Sequence, residues 1–142
     1  MTHKTLLCFD YGTKRIGVAV GQSITGTASP LNIIQVTNNK PDWDSIRQLI
    51  DNWKPDAIVV GIPLQMDDGQ QEMTVAAEKF ARQLEGRFRI PVYGADERLS
   101  TFEAENRTGR KISLDAVAAQ AILETWLAEN DNLLSQHNGK HG

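Results

Sequence analysis

The chain has 142 residues, of which 40% are hydrophobic and 23% charged, with a formal net charge of -3. That balance describes one globular domain and excludes a disordered chain, and its single cysteine, Cys8, excludes an internal disulfide framework or a Cys-rich zinc site. No apolar run is long enough to span a bilayer and Met1 to Lys4 lead straight into a strand-like run without a signal core, so a soluble cytoplasmic protein is expected.

Thr5 to Asp10 (TLLCFD) reads as a short buried strand ending in an acid. Tyr11 to Lys14 is a turn, Arg15 to Gly21 (RIGVAVG) a second strand and Asn32 to Val36 a third. The period then changes. Trp43, Ile46, Leu49, Ile50 and Trp53 form one helical stripe, with Pro41 in the first turn. Ala57 to Ile62 (AIVVGI) is continuously apolar, as in a strand covered on both faces. Pro63 to Gln70 reads as a loop. A second helix follows over Gln71 to Glu85, with Val75, Ala76, Phe80 and Leu84 inward and Gly86 past its end. Ile90 to Ala95 is a fifth strand, leading into Asp96 and Glu97. Ser100 to Glu103 fits a capping box, and a last helix runs from about Leu114 to Asn130. Residues 1–134 form one domain and 135–142 a polar tail expected to be disordered. A strand meander followed by βα units implies an α/β protein: a mixed five-stranded sheet with helices on both faces.

Three acids stand in unusual places. Asp10 ends the first strand, Glu97 follows the fifth and Asp115 opens the last helix. At about 100° per residue, Ala118, Ala119, Ile122 and Trp126 fall within roughly 60° of Asp115, so it lies along the apolar stripe. An inward carboxylate is costly unless a cation or hydrogen bond compensates it. Each acid has a plainer reading as well. Asp115 suits a helix N-terminus, Asp10 suits a turn, and Asp96 and Glu97 could pair with Arg98. Taken together, the three look like a converging cluster. His3, His137 and His141 all lie in terminal segments, so hard oxygen ligands for Mg²⁺ or Mn²⁺ are favoured over a zinc site. Two such ions would suit in-line phosphodiester hydrolysis. Cys8, inside an apolar run, reads as a core residue and not as a nucleophile.

An acidic chain does not hold nucleic acid by bulk charge, so any such contact needs a local patch. Lys79, Arg82, Arg87, Arg89, Arg98, Arg107, Arg110 and Lys111 supply candidates, or else an ordinary solvated surface.

The stretch from Asp10 to Val20 (DYGTKRIGVAV) resembles the first motif of the YqgF-type family, the Holliday-junction-resolvase-like proteins also called RuvX. Val60 to Asp67 resembles the family's middle loop, Asp96 to Thr101 (DERLST) its third motif, and Asp115 with Ala118-Ala119 and Ile122-Leu123 its final helix. Four ordered motifs cover about residues 5–130. The resemblance implies a ribonuclease-H-like fold and a nuclease that processes the 5′ end of pre-16S rRNA in ribosome biogenesis. By motif, Asp10, Glu97 and Asp115 would be the catalytic, metal-binding acids for a pair of Mg²⁺ or Mn²⁺ ions, with Asp96 as the adjacent substitute. Lys14, Arg15 and Arg98 would contact phosphates. The stretch between Thr101 and Asp115 is shorter than the family leads one to expect, and Arg107, Arg110 and Lys111 would replace part of its substrate grip. Expected partners are structured RNA, such as precursor rRNA in a pre-ribosome, with branched DNA as the alternative. The chain is expected as a monomer or weak dimer, since no exposed heptad demands a partner.

Three other readings stand beside this one. The first is a Holliday-junction resolvase acting on DNA. The second is a non-catalytic ribosome-assembly binder. The third is an ATP-handling protein, because Asp10-Tyr-Gly-Thr also resembles the phosphate loop of actin-like ATPases; those need two such domains.

Overall fold

The structure is a computed structural model. It describes residues 4–12, 14–38, 40–62, 68–96 and 114–130, without the side chains of 68–72, 96 and 114–115. The expected capping-box helix at Ser100 to Glu103 and the tail at 135–142 lie outside the described residues.

Six strands and three helices are described, in the order β1 (Thr5–Asp10), β2 (Arg15–Gln22), β3 (Thr27–Thr37), β4 (Lys40–Pro41), α1 (Trp43–Trp53), β5 (Ala57–Ile62), α2 (Asp68–Phe88), β6 (Val92–Asp96) and α3 (Leu114–Glu129). They form one mixed sheet of order β4-β3-β2-β1-β5-β6. β1 to β4 pair antiparallel as a meander, whereas β1, β5 and β6 run parallel. Parallel neighbours need crossovers, and α1 and α2 supply material for them.

The expected five strands become six because the chain turns back after β3. Asn38 adopts a left-handed φ of 53°, and Thr37 pairs with Lys40. Pro41 therefore ends β4 instead of opening the helix. Asp42 caps α1, its carboxylate accepting from the Ser45 backbone N–H at 3.3 Å and the Ser45 hydroxyl at 2.8 Å. β3 is longer than expected and carries a bulge. Pro30 pairs with Ala19 and Asn32 with Val18, so Leu31 is the extra residue, and a bulge tolerates a proline that cannot donate.

Alternation along β1 divides the core in two. Leu7 and Phe9 join Ile46, Leu49 and Ile50 of α1 and Phe80 and Leu84 of α2 on one face. Leu6 and Cys8 join Ala119, Ile122, Leu123 and Trp126 of α3 on the other. Helices thus cover both faces, as expected.

Two expected inward residues face water. Val75 is 61% exposed, because Ala77, Phe80 and Leu84 take the inner stripe of α2 and Val75 lies about 200° from Ala77. Trp53 is 39% exposed, since the buried stripe of α1 ends at Ile50. Gly86 does not end α2. The helix continues to Phe88, whose ring lies 6.3 Å from that of Trp43, and Arg89 caps it with φ 58°.

Candidate active site

The carboxyl ends of the parallel strands meet at one sheet edge. Asp10 is in register with Gly61 of β5, and Gly61 with Ala95 of β6. Two strand spacings separate Asp10 from Ala95, about 10 Å along that row. Gly61, between them, has no side chain. Asp10 shares the parity of Leu6 and Cys8, so it falls on the α3 face, and it is half-buried. Ala95 packs against the same face.

The turn after Asp10 requires glycine. A Cβ on Gly12 would stand 2.6 Å from the carbonyl oxygen of Arg15, a separation that real Cβ atoms do not show. The hairpin therefore closes tightly and returns basic residues to the same edge. Arg15 lies two residues beyond Gly17, the partner of Asp10, which makes it a diagonal cross-strand neighbour of Asp10, typically about 7–8 Å away. By alternation Arg15 shares a face with Ala19, hence with Asp10. Lys14 is exposed, and its carbonyl accepts from the Val36 N–H at 3.0 Å, which ties the turn to β3.

Of the expected site residues, the structure brings Asp10, Lys14 and Arg15 to one edge. Glu97, Arg98, Arg107, Arg110 and Lys111 lie outside the described residues. Asp115 is placed only as backbone, one residue into α3. Among the described residues no three of His, Cys, Asp or Glu converge. Cys8 is fully buried in the core, in keeping with a packing residue.

Sequence reasoning passed over Tyr11, which turns to the other face. Its ring lies 5.1 Å from that of Phe80, and burial raises its phenol above the ordinary 10.0. An aromatic residue beside a strand-terminal acid was the available signal.

Comparisons with known proteins bear on the family and the fold. The RuvX family model, described as Holliday junction resolvase, matches residues 4–129. A protein of Pseudomonas fluorescens strain Pf-5 is 52% identical over 144 aligned residues, 95% of this chain and 99% of that one, and carries the name "Putative pre-16S rRNA nuclease". The Thermus thermophilus RuvC structure in complex with a Holliday junction superposes with a TM-score of 0.59 at 12% identity, covering 89% of this chain and 94% of that one. The fowlpox virus resolvase bound to Holliday junction DNA gives 0.55 at 11%, covering 88% and 97%. Those two likenesses show the resolvase-type fold, with a mixed sheet and helices on both faces. The family match over residues 4–129, together with 52% identity to a relative aligned over 99% of its own length, shows that this protein belongs to the RuvX family.

Proposed function

We propose that the chain is a metal-dependent nuclease that hydrolyses phosphodiester bonds in the 5′ region of precursor 16S rRNA, in the cytoplasm. The observation that carries this is the position of Asp10 on the α3 face, in register with Gly61 and Ala95 at the carboxyl edge of three parallel strands. Such an edge is where α/β sheets usually bind ligands.

Glu97 follows directly in sequence on Asp96, the last residue of β6, the strand whose Ala95 shares the row of Asp10 and Gly61. The family motif makes Glu97 the second acid, with Asp96 as the adjacent substitute. Asp115 opens α3, the helix that packs on the face Asp10 shares. These three carboxylates form a hard oxygen set that suits Mg²⁺ or Mn²⁺, and they would hold the metal. When bound, a pair of such ions activates water and stabilises the leaving oxygen.

The chain's own residues have simpler tasks. Arg15, beside Asp10, offsets the negative charge gathered at the edge and offers donors to a phosphate. Lys14 extends that rim as a point charge. Gly12 keeps the backbone close enough for the hairpin to return Arg15 to the edge that carries Asp10. Arg98, Arg107, Arg110 and Lys111 would add phosphate contacts further along the substrate.

The family's description favours a second substrate, a four-way DNA junction. One experiment separates the two. A 5′ precursor 16S rRNA fragment and a four-way junction are incubated with wild type and Asp10→Asn, in Mg²⁺, Mn²⁺ or EDTA. Cleavage of the RNA that needs metal and Asp10 is the expected result. Cleavage of the junction alone would move the assignment to DNA, and no cleavage of either would remove the nuclease reading.

A further inference from the structure

On the face of the sheet opposite Asp10, the structure opens a cavity of about 690 Å³. Cavities that take small ligands run from about 300 to 1,000 Å³. Its walls come from the turn after β1, from β4, from the start of α1 and from α2. Three rings, Tyr11, Trp43 and Phe80, and three cations, Lys40, Lys79 and Arg87, are among its lining residues. No carboxylate lines it among the described residues.

This composition is unusual in a chain of net charge -3. Asp42, which stands between two lining residues, is engaged in capping α1. The rings are also arranged as a platform. Phe80 stands 5.1 Å from Tyr11 and 5.6 Å from Trp43, centroid to centroid, and fixes both. The Arg87 guanidinium lies over the Trp43 ring, 4.1 Å from its centroid. Lys40, Lys79 and Arg87 are exposed, so their charged heads reach solvent around an aromatic floor. Rings for a base and cations for a phosphate are the two parts of a single-strand binding site.

We propose that this cavity holds one nucleotide of a single-stranded RNA, its phosphate on Lys40 and Lys79 and its base against the Tyr11 and Trp43–Arg87 platform. The choice of ligand rests on the nuclease reading above. The ligand must be unpaired, because a base inside a duplex cannot enter a walled cavity. Tyr11 and Asp10 are consecutive, with Cα atoms about 3.8 Å apart, yet serve opposite faces. A strand anchored at Tyr11 therefore passes directly over the edge that carries Asp10. The site would position the single-stranded flank of a structured substrate for cutting.

The test is binding, measured in EDTA so that no cleavage enters. The whole chain is titrated against a fluorescein-labelled 12-nucleotide single-stranded RNA, followed by anisotropy at several salt concentrations. Lys40→Ala/Lys79→Ala should bind at least about tenfold more weakly, and the slope of log K against log salt should flatten by about 0.7, the value for one neutralised phosphate on a single strand. Lys40→Arg/Lys79→Arg should keep most of the affinity. Both pairs should melt like wild type, since both lysines are exposed. Trp43→Leu should cost about 5- to 150-fold, the range for one stacked base. Unchanged affinity and slope in the alanine pair would overturn the proposal. So would equal binding of a duplex RNA with the same lysine dependence, or AMP binding as tightly as the 12-mer, which would make the cavity a mononucleotide pocket. Lysine-dependent binding by a chain that cuts nothing in metal would leave the cavity standing and fail the nuclease reading. Metal-dependent cutting with lysine-independent binding would do the reverse.

Discussion

The two faces of the sheet are built from different materials. Against α3 the sheet presents small and aliphatic side chains, Cys8, Ala19, Ala28, Ala57 and Val59, and α3 answers with Ala119, Ile122, Leu123, Trp126 and Leu127. Against α1 and α2 it presents Phe9, with Tyr11, Trp43, Phe80 and Phe88 around it. Small residues let α3 approach closely: a Cβ on Gly21 would stand 2.8 Å from Leu123 and 3.0 Å from the Thr27 carbonyl. Close approach favours short acids held at fixed positions. Large rings leave a cavity at the rim. One strand, β1, ends in Asp10 for the first face and leads into Tyr11 for the second, so reaction and grip are placed by adjacent residues of the chain.

The most forceful way to break this contrast is Phe80→Ala. Phe80 touches Phe9, Tyr11 and Trp43 and is 1% exposed. Its loss should cost about 3–5 kcal/mol in denaturant unfolding and also disorder the cavity rim. A loss below about 1 kcal/mol would show that the aromatic face is not a packed unit.

Asp10→Asn tests the other face. Cleavage should fall at least about a hundredfold, with little change in melting temperature, because the residue acts through its charge at a half-buried edge. A destabilised variant with normal cleavage would reassign Asp10 to the turn. Asp115→Asn sharpens the same point: an inactive variant as stable as wild type supports a ligand, and a variant weakened by about 0.3–1 kcal/mol that still cuts supports a helix-terminal acid.

Gly12→Ala should destabilise by about 1–3 kcal/mol, because the new Cβ would meet the Arg15 carbonyl at 2.6 Å and the backbone must shift. Activity at low temperature should fall as well, since the hairpin positions Arg15. Normal melting with normal cleavage would contradict the close approach.

The smallest effect concerns pH. Burial raises the Tyr11 phenol above 10.0 in the fold, so the unfolded chain gives up its proton first. Tyr11 then contributes stability that is complete below pH 10.0 and declines as pH rises through its folded value. Tyr11→Phe should flatten the alkaline fall in melting temperature. An unchanged slope would mean that the ring is less buried than its packing on Phe80 indicates.

Much of this architecture was readable from residues. Ala57 to Ile62 is apolar on both sides because helices cover both sides, and a continuous run is what that burial leaves in a sequence. The stripe Ile46, Leu49 and Ile50 was legible because α1 has one wet face. In α2, Phe80 and Leu84 were read as inward and are buried, whereas Val75 was misplaced, since Val75 and Ala76 are as apolar as Ala77 and only packing on the sheet decides among them. The extra strand β4 was missed because two residues carry no period, and Pro41 suits a helix start as well as a strand end. For the site, Asp10 was legible from its place at a strand end and its basic neighbours from the family resemblance, and the strand register brings them to one edge. The cavity was not legible: Trp43 and Phe80 read as ordinary helix-stripe residues, and Lys40 joins Lys79 only through the β4 turn.

The tight seat of α3 on Cys8 has a practical consequence. Cys8 is the chain's one cysteine, has no solvent exposure, and lies beneath Ala119, Ile122 and Leu123. α3 itself is tied to the sheet by long-range contacts such as the Gln120 side-chain amide donating to the Ala28 carbonyl at 3.0 Å, across 92 residues of sequence. A thiol reagent can therefore reach Cys8 only when the helix lifts away or the whole domain unfolds. Its labelling rate under native conditions, set against the rate expected for global unfolding, measures the opening free energy of α3, the helix whose first turn carries Asp115. The protein thus contains its own probe of how often that turn leaves the sheet.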